Sequence, residues 1–131
     1  MIRLLKKPQF YLLLAIYTWL GVIPTDTLYI AGYNDKLLHF SGYIVLMNSC
    51  LLAYGTRPRK SVMFGLLLLY SFTIEVIQYF LPWREFSLLD LLANALGLFT
   101  GQLLGLTAVR LIHRYNSLAN TPGDNNSTPA A

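Results

Sequence analysis

Ionisable and amide side chains are concentrated in three short stretches of an otherwise apolar sequence. The stretches read DKLLH from residue 35, EVIQ from residue 75 and REFSLLDLLAN from residue 84. A histidine beside carboxylates can transfer protons, and lysine or arginine can bind a phosphate or a carboxylate. These residue types therefore indicate a polar binding site that also has the groups needed for acid–base chemistry.

Within each stretch the polar residues are three or four positions apart. The pairs are Asp35 with His39, Glu75 with Gln78, and Asp90 with Asn94. Residues at these separations lie on the same face of a helix. Because a charged or amide side chain is costly to expose to lipid, each pair is predicted to face the interior of a helix bundle.

The candidate residues fall into two predicted roles. The acid and base residues of a catalytic version would be His39, Glu75 and Asp90. The residues predicted to contact the bound molecule are Asp35, Lys36, Gln78, Arg84, Ser87 and Asn94. Of these, Lys36 and Arg84 would hold a phosphate or carboxylate of that molecule. The sequence leaves open whether the protein is an enzyme.

A metal-binding interpretation of the same residues is weaker. His39, Glu75 and Asp90 offer one nitrogen and two oxygens to a divalent ion. Their spacing does not match the HExxH-type pattern of a zinc site. Neither a metal nor another cofactor is therefore predicted.

Several of these residues also have structural interpretations. Asp35 can serve as the N-cap of its helix, and for Ser87 capping is the favoured interpretation. Lys36 can extend along the apolar surface to the membrane interface and anchor a helix end. Glu75 can form an ion pair with Arg84 that ties a helix to the following loop. These alternatives remain open at the level of sequence.

The elements that must position these groups are long and apolar. Hydrophobic residues make up 55% of the 131-residue chain and charged residues only 12%, which is typical of an integral membrane protein. Four runs approach the roughly 20 residues of a spanning helix, at 10–29, 37–54, 62–81 and 88–112. We predict an all-α integral membrane bundle of four transmembrane helices within residues 1–115, followed by a disordered polar tail at 116–131.

Basic residues predict the orientation of the bundle. With the N-terminus in the cytoplasm, eight of the ten Lys and Arg residues fall on the cytoplasmic side, as the positive-inside rule requires. They are Arg3, Lys6, Lys7, Arg57, Arg59, Lys60, Arg110 and Arg114. We therefore expect a multi-pass inner-membrane protein with both termini cytoplasmic and the polar stretches at headgroup depth on the outer face.

Glycines recur at every fourth position of the last apolar run, at Gly97, Gly101 and Gly105. Small residues at this spacing let two membrane helices approach closely. We expect this stripe to pack against a neighbouring helix and to hold the polar groups of both helices together.

The ordered set of motifs resembles the VanZ-like family of small bacterial membrane proteins over roughly residues 10–112. The matching stretches are DKLLHFSGYIVL at 35–46 and EVIQYFLPWREFSLLDLLANALGLFTG at 75–101. The residues that carry the pattern are Asp35, Lys36, His39, Phe40, Glu75, Gln78, Arg84, Ser87, Asp90, Asn94 and Gly97. The resemblance implies a role at the cell envelope and a link to resistance to the glycopeptide antibiotic teicoplanin.

Three functions are compatible with these patterns. The first is an outer-face site that binds, and in a catalytic version modifies, an envelope lipid or a lipid-linked precursor. The second is a non-catalytic protein whose polar cluster packs helices and binds a partner. The third, transport of protons or ions, is disfavoured because the inner halves of the helices carry few matching polar residues. No basic–aromatic patch predicts nucleic-acid binding, and the oligomeric state is not predicted.

Overall fold

Four α-helices account for nearly all of the chain that the structure describes. The computed structural model describes residues 2–24, 35–55 and 60–119, with side chains from residue 6 onward. Its helices are α1 (Ile2–Val22), α2 (Asp35–Tyr54), α3 (Lys60–Tyr79) and α4 (Leu88–Ala119). These residues contain no strand. The prediction of an all-α chain with four helices is therefore confirmed.

Three of the helices, α2, α3 and α4, are long and apolar enough to cross a membrane. The first helix is not among them, because Lys6, Lys7 and Gln9 occupy its early turns. The part of α1 after these polar residues, 10–22, is about 20 Å long at about 1.5 Å per residue, shorter than the roughly 30 Å hydrocarbon core. Residues 25–29, which the sequence prediction included in this run, lie outside the described residues.

Two predicted boundaries differ from the structure. The third helix ends at Tyr79, two residues before the end of the predicted run at 81, so Glu75 lies about one turn from the end of the helix. The fourth helix continues to Ala119, four residues into the segment predicted to be disordered. Residues 120–131 lie outside the described part, so the predicted tail as a whole stays a prediction.

The closest helix pair in the bundle is α2 with α4. A Cβ atom at Gly97 would overlap the Phe40 carbonyl oxygen, and one at Gly101 would lie only 2.8 Å from the carbonyl oxygen of Ile44. Both obstacles are backbone atoms of α2, so neither position has room for a larger residue. The predicted role of the glycine stripe in helix packing is confirmed.

Apolar and polar residues are buried at different levels of the bundle. Leu46, Met47 and Leu98 are fully buried in an apolar core that also holds Cys50, a free cysteine. Most of the buried polar side chains lie nearer the other end, and they are Ser71, Glu75, Gln78, Asp90 and Asn94. The apolar core holds the helices together, and most of the buried polar side chains lie toward the C-terminal end of α3 and the N-terminal end of α4.

Hydrogen bonds hold α1 against the two helices beside it. Ser49 Oγ on α2 donates to Gln9 Oε1 at 2.8 Å, and Gln9 Nε2 donates to the Ser49 carbonyl oxygen at 3.1 Å. Farther along α1, the hydroxyls of Thr18 and Tyr70 share a hydrogen bond of 2.9 Å. Because these contacts hold α1 at two separate turns, Gln9 and Thr18, the helix is positioned to form one wall of the site.

Candidate functional site

The site lies where the C-terminal ends of α1 and α3 meet the N-terminal ends of α2 and α4. Ser87 immediately precedes α4, and its Oγ accepts a hydrogen bond of 3.3 Å from the Asp90 amide. This is the N-cap arrangement, in which a side-chain oxygen satisfies an early amide of the helix. The capping interpretation of Ser87 is confirmed, and the cap places Asp90 in the first turn of α4.

Glu75 is the most deeply enclosed charged residue of the site, with 1% of its surface exposed. Its Oε2 accepts a hydrogen bond of 3.2 Å from the backbone N–H of Ser87, which links α3 to the start of α4. Its Oε1 is buried and has no hydrogen-bond partner among the described residues. One carboxylate oxygen of Glu75 therefore accepts a hydrogen bond that connects two helices, and the other oxygen accepts none from these residues.

Arg84 does not pair with Glu75, so the predicted ion pair is wrong for the described residues. Arg84 Nη2 donates to the Leu20 carbonyl oxygen at 2.7 Å, and Arg84 Nε donates to that of Ile23 at 3.1 Å. The last carbonyls of a helix have no partner within the helix. Arg84 satisfies two carbonyl groups at the end of α1 and so ties the loop after α3 to that helix.

Two further side chains bind the same end of α1. Gln78 Nε2 donates to the Gly21 carbonyl oxygen at 2.9 Å, and Trp83 Nε1 donates to that of Val22, also at 2.9 Å. The end of α1 is thus held by donors from α3 and from the loop that follows it. Gln78, predicted to contact a bound molecule, also has this structural role.

Lys36 joins the carboxylates of α2 and α4. Its Nζ lies 3.1 Å from Asp90 Oδ1 and 3.9 Å from Asp35 Oδ2. Asp90 is buried and Lys36 is exposed, so the ion pair lies at the edge of the site and helps to offset the cost of burying the Asp90 carboxylate. Since Lys36 is engaged in this way, its predicted role in holding an anionic group competes with its contact to Asp90.

His39 lies between the carboxylates and the interior of the bundle. Its Nε2 is 3.7 Å from Asp35 Oδ1 and 4.0 Å from Asp90 Oδ2, and its Nδ1 is 3.0 Å from Asn94 Oδ1. Because a carbonyl oxygen only accepts, the Asn94 contact assigns the N–H to Nδ1. The Nε2 atom then faces the two carboxylates and is the nitrogen available for proton transfer.

Asn94 extends this network to a residue that the sequence interpretation missed. Its Nδ2 donates to Ser71 Oγ at 2.8 Å, and both side chains are nearly fully buried. Ser71 lies four residues before Glu75 on α3, so the helical spacing could have drawn attention to it. A serine in an apolar helix is common, which is why the spacing alone did not single it out.

The geometry changes which residues form the best metal-binding group. Asp35, His39 and Asp90 each offer a ligand atom, and these atoms all lie within 4.8 Å of one another. Glu75, the third member named from sequence, is not in this group, and Asp35 takes its place. The Lys36 ammonium, 3.1 Å from Asp90, supplies a positive charge at this cluster.

A cleft of about 1360 Å³ connects these groups. Its polar end contains all nine residues that the sequence had singled out: Asp35, Lys36, His39, Glu75, Gln78, Arg84, Ser87, Asp90 and Asn94. Its apolar walls come mainly from α1 and α2, with Leu13, Ile16, Leu20, Leu38 and Val45 among the lining residues. From Leu20 to Leu13 the apolar part runs roughly 10 Å along α1 at 1.5 Å per residue.

The apolar part of the cleft is continuous with the outer surface of the bundle. Ile16, Leu38 and Val45 line the cleft, yet each keeps between 40% and 49% of its surface exposed. In a membrane-spanning bundle such an apolar surface faces the hydrocarbon of the bilayer. The cleft therefore combines an ionisable end with an apolar channel that opens sideways.

Aromatic side chains surround the polar end. Tyr79, Phe80, Trp83 and Phe86 are each at least one-third exposed. Such residues are enriched where a membrane meets water. Tyr29 and Tyr33, which the sequence interpretation placed in the same belt, lie outside the described residues.

Comparison with known proteins identifies a family but no individual relative. No curated protein and no solved structure gave a match. The family model described as VanZ/LLP1 matches residues 5–110, which includes α1 to α3 and most of α4. The matched region contains every residue of the cleft described above. The chain is a membrane protein of the VanZ/LLP1 family.

Proposed function

We propose that the cleft binds an envelope lipid or a lipid-linked envelope precursor from the outer leaflet of the bacterial inner membrane. The observation that carries the proposal is the division of the cleft into an ionisable end and an apolar channel open to the side. A headgroup would occupy the end that contains His39 and Asp90. An acyl or prenyl chain would lie in the apolar channel between α1 and α2. Burial of the chain there favours binding to the extent that it removes apolar surface from water.

The proposed orientation is supported by where the basic residues fall in the bundle. Lys6 and Lys7 are near the start of α1, Lys60 starts α3, and Arg110 and Arg114 are in the last turns of α4. All of these positions are at helix ends opposite the cleft. With basic residues retained in the cytoplasm, the polar end of the cleft faces outward and both helical termini face inward.

The test compares lipids that copurify with two matched variants. Ser41 and Thr73 are exposed, and each hydroxyl donates to the carbonyl oxygen four residues earlier. Only Ser41 lines the cleft. Ser41→Trp should fill the apolar channel and reduce bound lipid, as measured by native mass spectrometry, whereas Thr73→Trp should retain it. Equal retention by the two variants would place the lipid elsewhere on the bundle.

A catalytic version of the proposal rests on His39. Its Nδ1 is oriented by Asn94, and its Nε2 faces Asp35 and Asp90, an arrangement suited to proton transfer. Turnover of phospholipids or lipid-linked wall precursors by the purified protein should then disappear in His39→Ala. Turnover that persists in this variant would remove His39 from the catalytic role, and no turnover by the wild type would leave a binding function only.

Teicoplanin resistance is proposed as a consequence of the same site. A protein that binds or alters an envelope precursor on the outer face can change how much target a glycopeptide antibiotic meets there. Expression in a susceptible bacterium should raise the inhibitory concentration of teicoplanin, and Ser41→Trp at equal expression should abolish the increase. If Ser41→Trp leaves the resistance unchanged, then resistance does not depend on lipid binding in the cleft.

A further inference from the structure

The charged groups at the polar end differ in how completely their hydrogen-bonding capacity is used. Arg84 donates to two α1 carbonyls, and Lys36 is in contact with Asp90 and Asp35. Both cations named as anion ligands are thus already engaged with protein oxygens. An anionic headgroup would have to share those cations with the protein oxygens, and it would also approach the four carboxylates that line the cleft, Asp35, Glu75, Glu85 and Asp90.

Among the buried side-chain atoms of the described cleft residues, those without a hydrogen-bond partner are acceptors, Glu75 Oε1 and Asp90 Oδ1, and of these Asp90 Oδ1 is ion-paired with Lys36 at 3.1 Å. Glu75 lines the cleft, is 99% buried, and its Oε1 has no hydrogen-bond partner among the described residues. A buried carboxylate oxygen without a donor is costly, and a positively charged N–H donor offsets that cost more than a neutral donor does. Asp35 and Asp90, in the same cleft, add to the negative potential that such a donor would meet.

We infer that the ligand presents a primary ammonium group, which donates a hydrogen bond to Glu75 Oε1. This inference rests on the proposed lipid-binding function and narrows it to amine-bearing amphiphiles. Two sources share that chemistry: an aminophospholipid, and a lipid-linked wall precursor with a free amine on its peptide. The apolar channel would hold the chain of either one.

The experiment measures competition among lipids for the purified full-length protein by native mass spectrometry. Phosphatidylethanolamine carries N–H donors, phosphatidylcholine carries the charge without them, and phosphatidylglycerol is anionic. The wild type should retain phosphatidylethanolamine at least roughly tenfold over the other two, as expected for one charge-assisted hydrogen bond. A polyprenyl-linked precursor, with its peptide amine either free or acetylated, distinguishes the second source from the first.

Two carboxylates of the same chemical type provide the variant and its control. Glu75→Gln removes the charge at the buried acceptor, and Glu85→Gln removes an exposed charge from the lining of the same cleft. The preference for the amine should be lost in the first variant and kept in the second. Comparing phosphatidylethanolamine with its N-acetylated form on the wild type gives the same answer even if Glu75→Gln does not fold.

The possible outcomes separate the two proposals. Equal or greater retention of phosphatidylglycerol, or undiminished retention of the N-acetylated lipid, would overturn the ammonium inference and leave lipid binding intact. A preference that survives in folded Glu75→Gln would also overturn it. Retention of no lipid by the wild type, under conditions in which it stays folded, would overturn the proposed function itself.

Discussion

Replacing Gly97 with alanine is predicted to weaken the helix pair that supports the site. A Cβ at this position would overlap the Phe40 carbonyl oxygen and would lie 3.0 Å from Tyr43 Cβ. The main obstacle is backbone, which cannot rotate away as a side-chain tip can. To restore ordinary contact, α2 and α4 must separate locally by roughly 1 Å, in an interior that is packed without spare volume.

The expected loss of stability follows from this overlap. Overpacking of a close interface typically costs about 1–3 kcal/mol, and we expect Gly97→Ala toward the upper end. Gly101→Ala should cost less, because its nearest obstacle, the Ile44 carbonyl oxygen, is 2.8 Å away. Gly65 is the matched control, since a Cβ there meets nothing within 4 Å. Gly65→Ala should be neutral or stabilising by up to about 1 kcal/mol through helix propensity.

The same displacement should reach the candidate site. Asn94 is three residues before Gly97 on α4, and its hydrogen bond to His39 on α2 is 3.0 Å long. A separation of roughly 1 Å would stretch this contact beyond hydrogen-bonding distance. Gly97→Ala should therefore lose lipid binding at temperatures where the protein is still folded.

The single cysteine supplies the assay. Cys50 is 5% exposed in the apolar core, so a thiol-reactive fluorophore should label it only when the core opens. Heating detergent-purified protein with the dye should give melting temperatures in the order Gly65→Ala, wild type, Gly101→Ala and Gly97→Ala, from highest to lowest. If Gly97→Ala melts with the wild type, the close approach of α2 and α4 deduced from the glycine stripe is incorrect.

Three other perturbations test separate parts of the structure. Arg84→Lys should speed amide hydrogen exchange in residues 10–22 and leave α4 unchanged, because one ammonium cannot reproduce the two guanidinium contacts with α1; equal exchange would contradict the capping role. Ser87→Ala should lower stability by about 1 kcal/mol through loss of the N-cap, and Ser87→Thr should restore most of it. A double-mutant cycle of Ser71→Ala and Asn94→Ala should give a coupling of roughly 0.5–2 kcal/mol, and a coupling near zero would remove that hydrogen bond from the network.

The sequence predicted the helices and the membership of the polar cluster because both depend on local spacing. Apolar runs of sufficient length define α2, α3 and α4, and the three- and four-residue intervals place polar side chains on shared helix faces. Charge counting then brought the three polar stretches to one end of the bundle. As a result, all nine residues named from the sequence line the same cleft.

The partners of those residues were harder to predict, because they depend on how separate helices pack. Arg84 is near Glu75 in sequence, but the docking of α1 offers it unpaired backbone carbonyls instead. Asp35, rather than Glu75, completes the group around His39 and Asp90 because α2 and α4 are the closest pair. Neither the partner of Arg84 nor the composition of this group can be predicted from the spacing of residues within one helix.

The pattern of satisfied and unsatisfied groups bears on the choice between a binding site and a network that only packs helices. Polar groups that act only to join membrane helices are expected to be paired with one another, because a half-satisfied buried network is less favourable than an apolar core. Among the described residues of the cleft, the side chains of Asn94, Gln78 and Arg84 all have hydrogen-bond partners. Glu75 Oε1 has none.

A third buried acceptor without a hydrogen-bond partner, Gln102 Oε1, also occurs in the described part of α4, but it does not line the cleft. It belongs to a neutral amide, for which the cost of burial is smaller than for a carboxylate. If packing alone had shaped position 75, glutamine or an apolar residue would fill it at lower cost. An unsatisfied carboxylate beside a cleft open to lipid is better explained by a donor that arrives with the ligand.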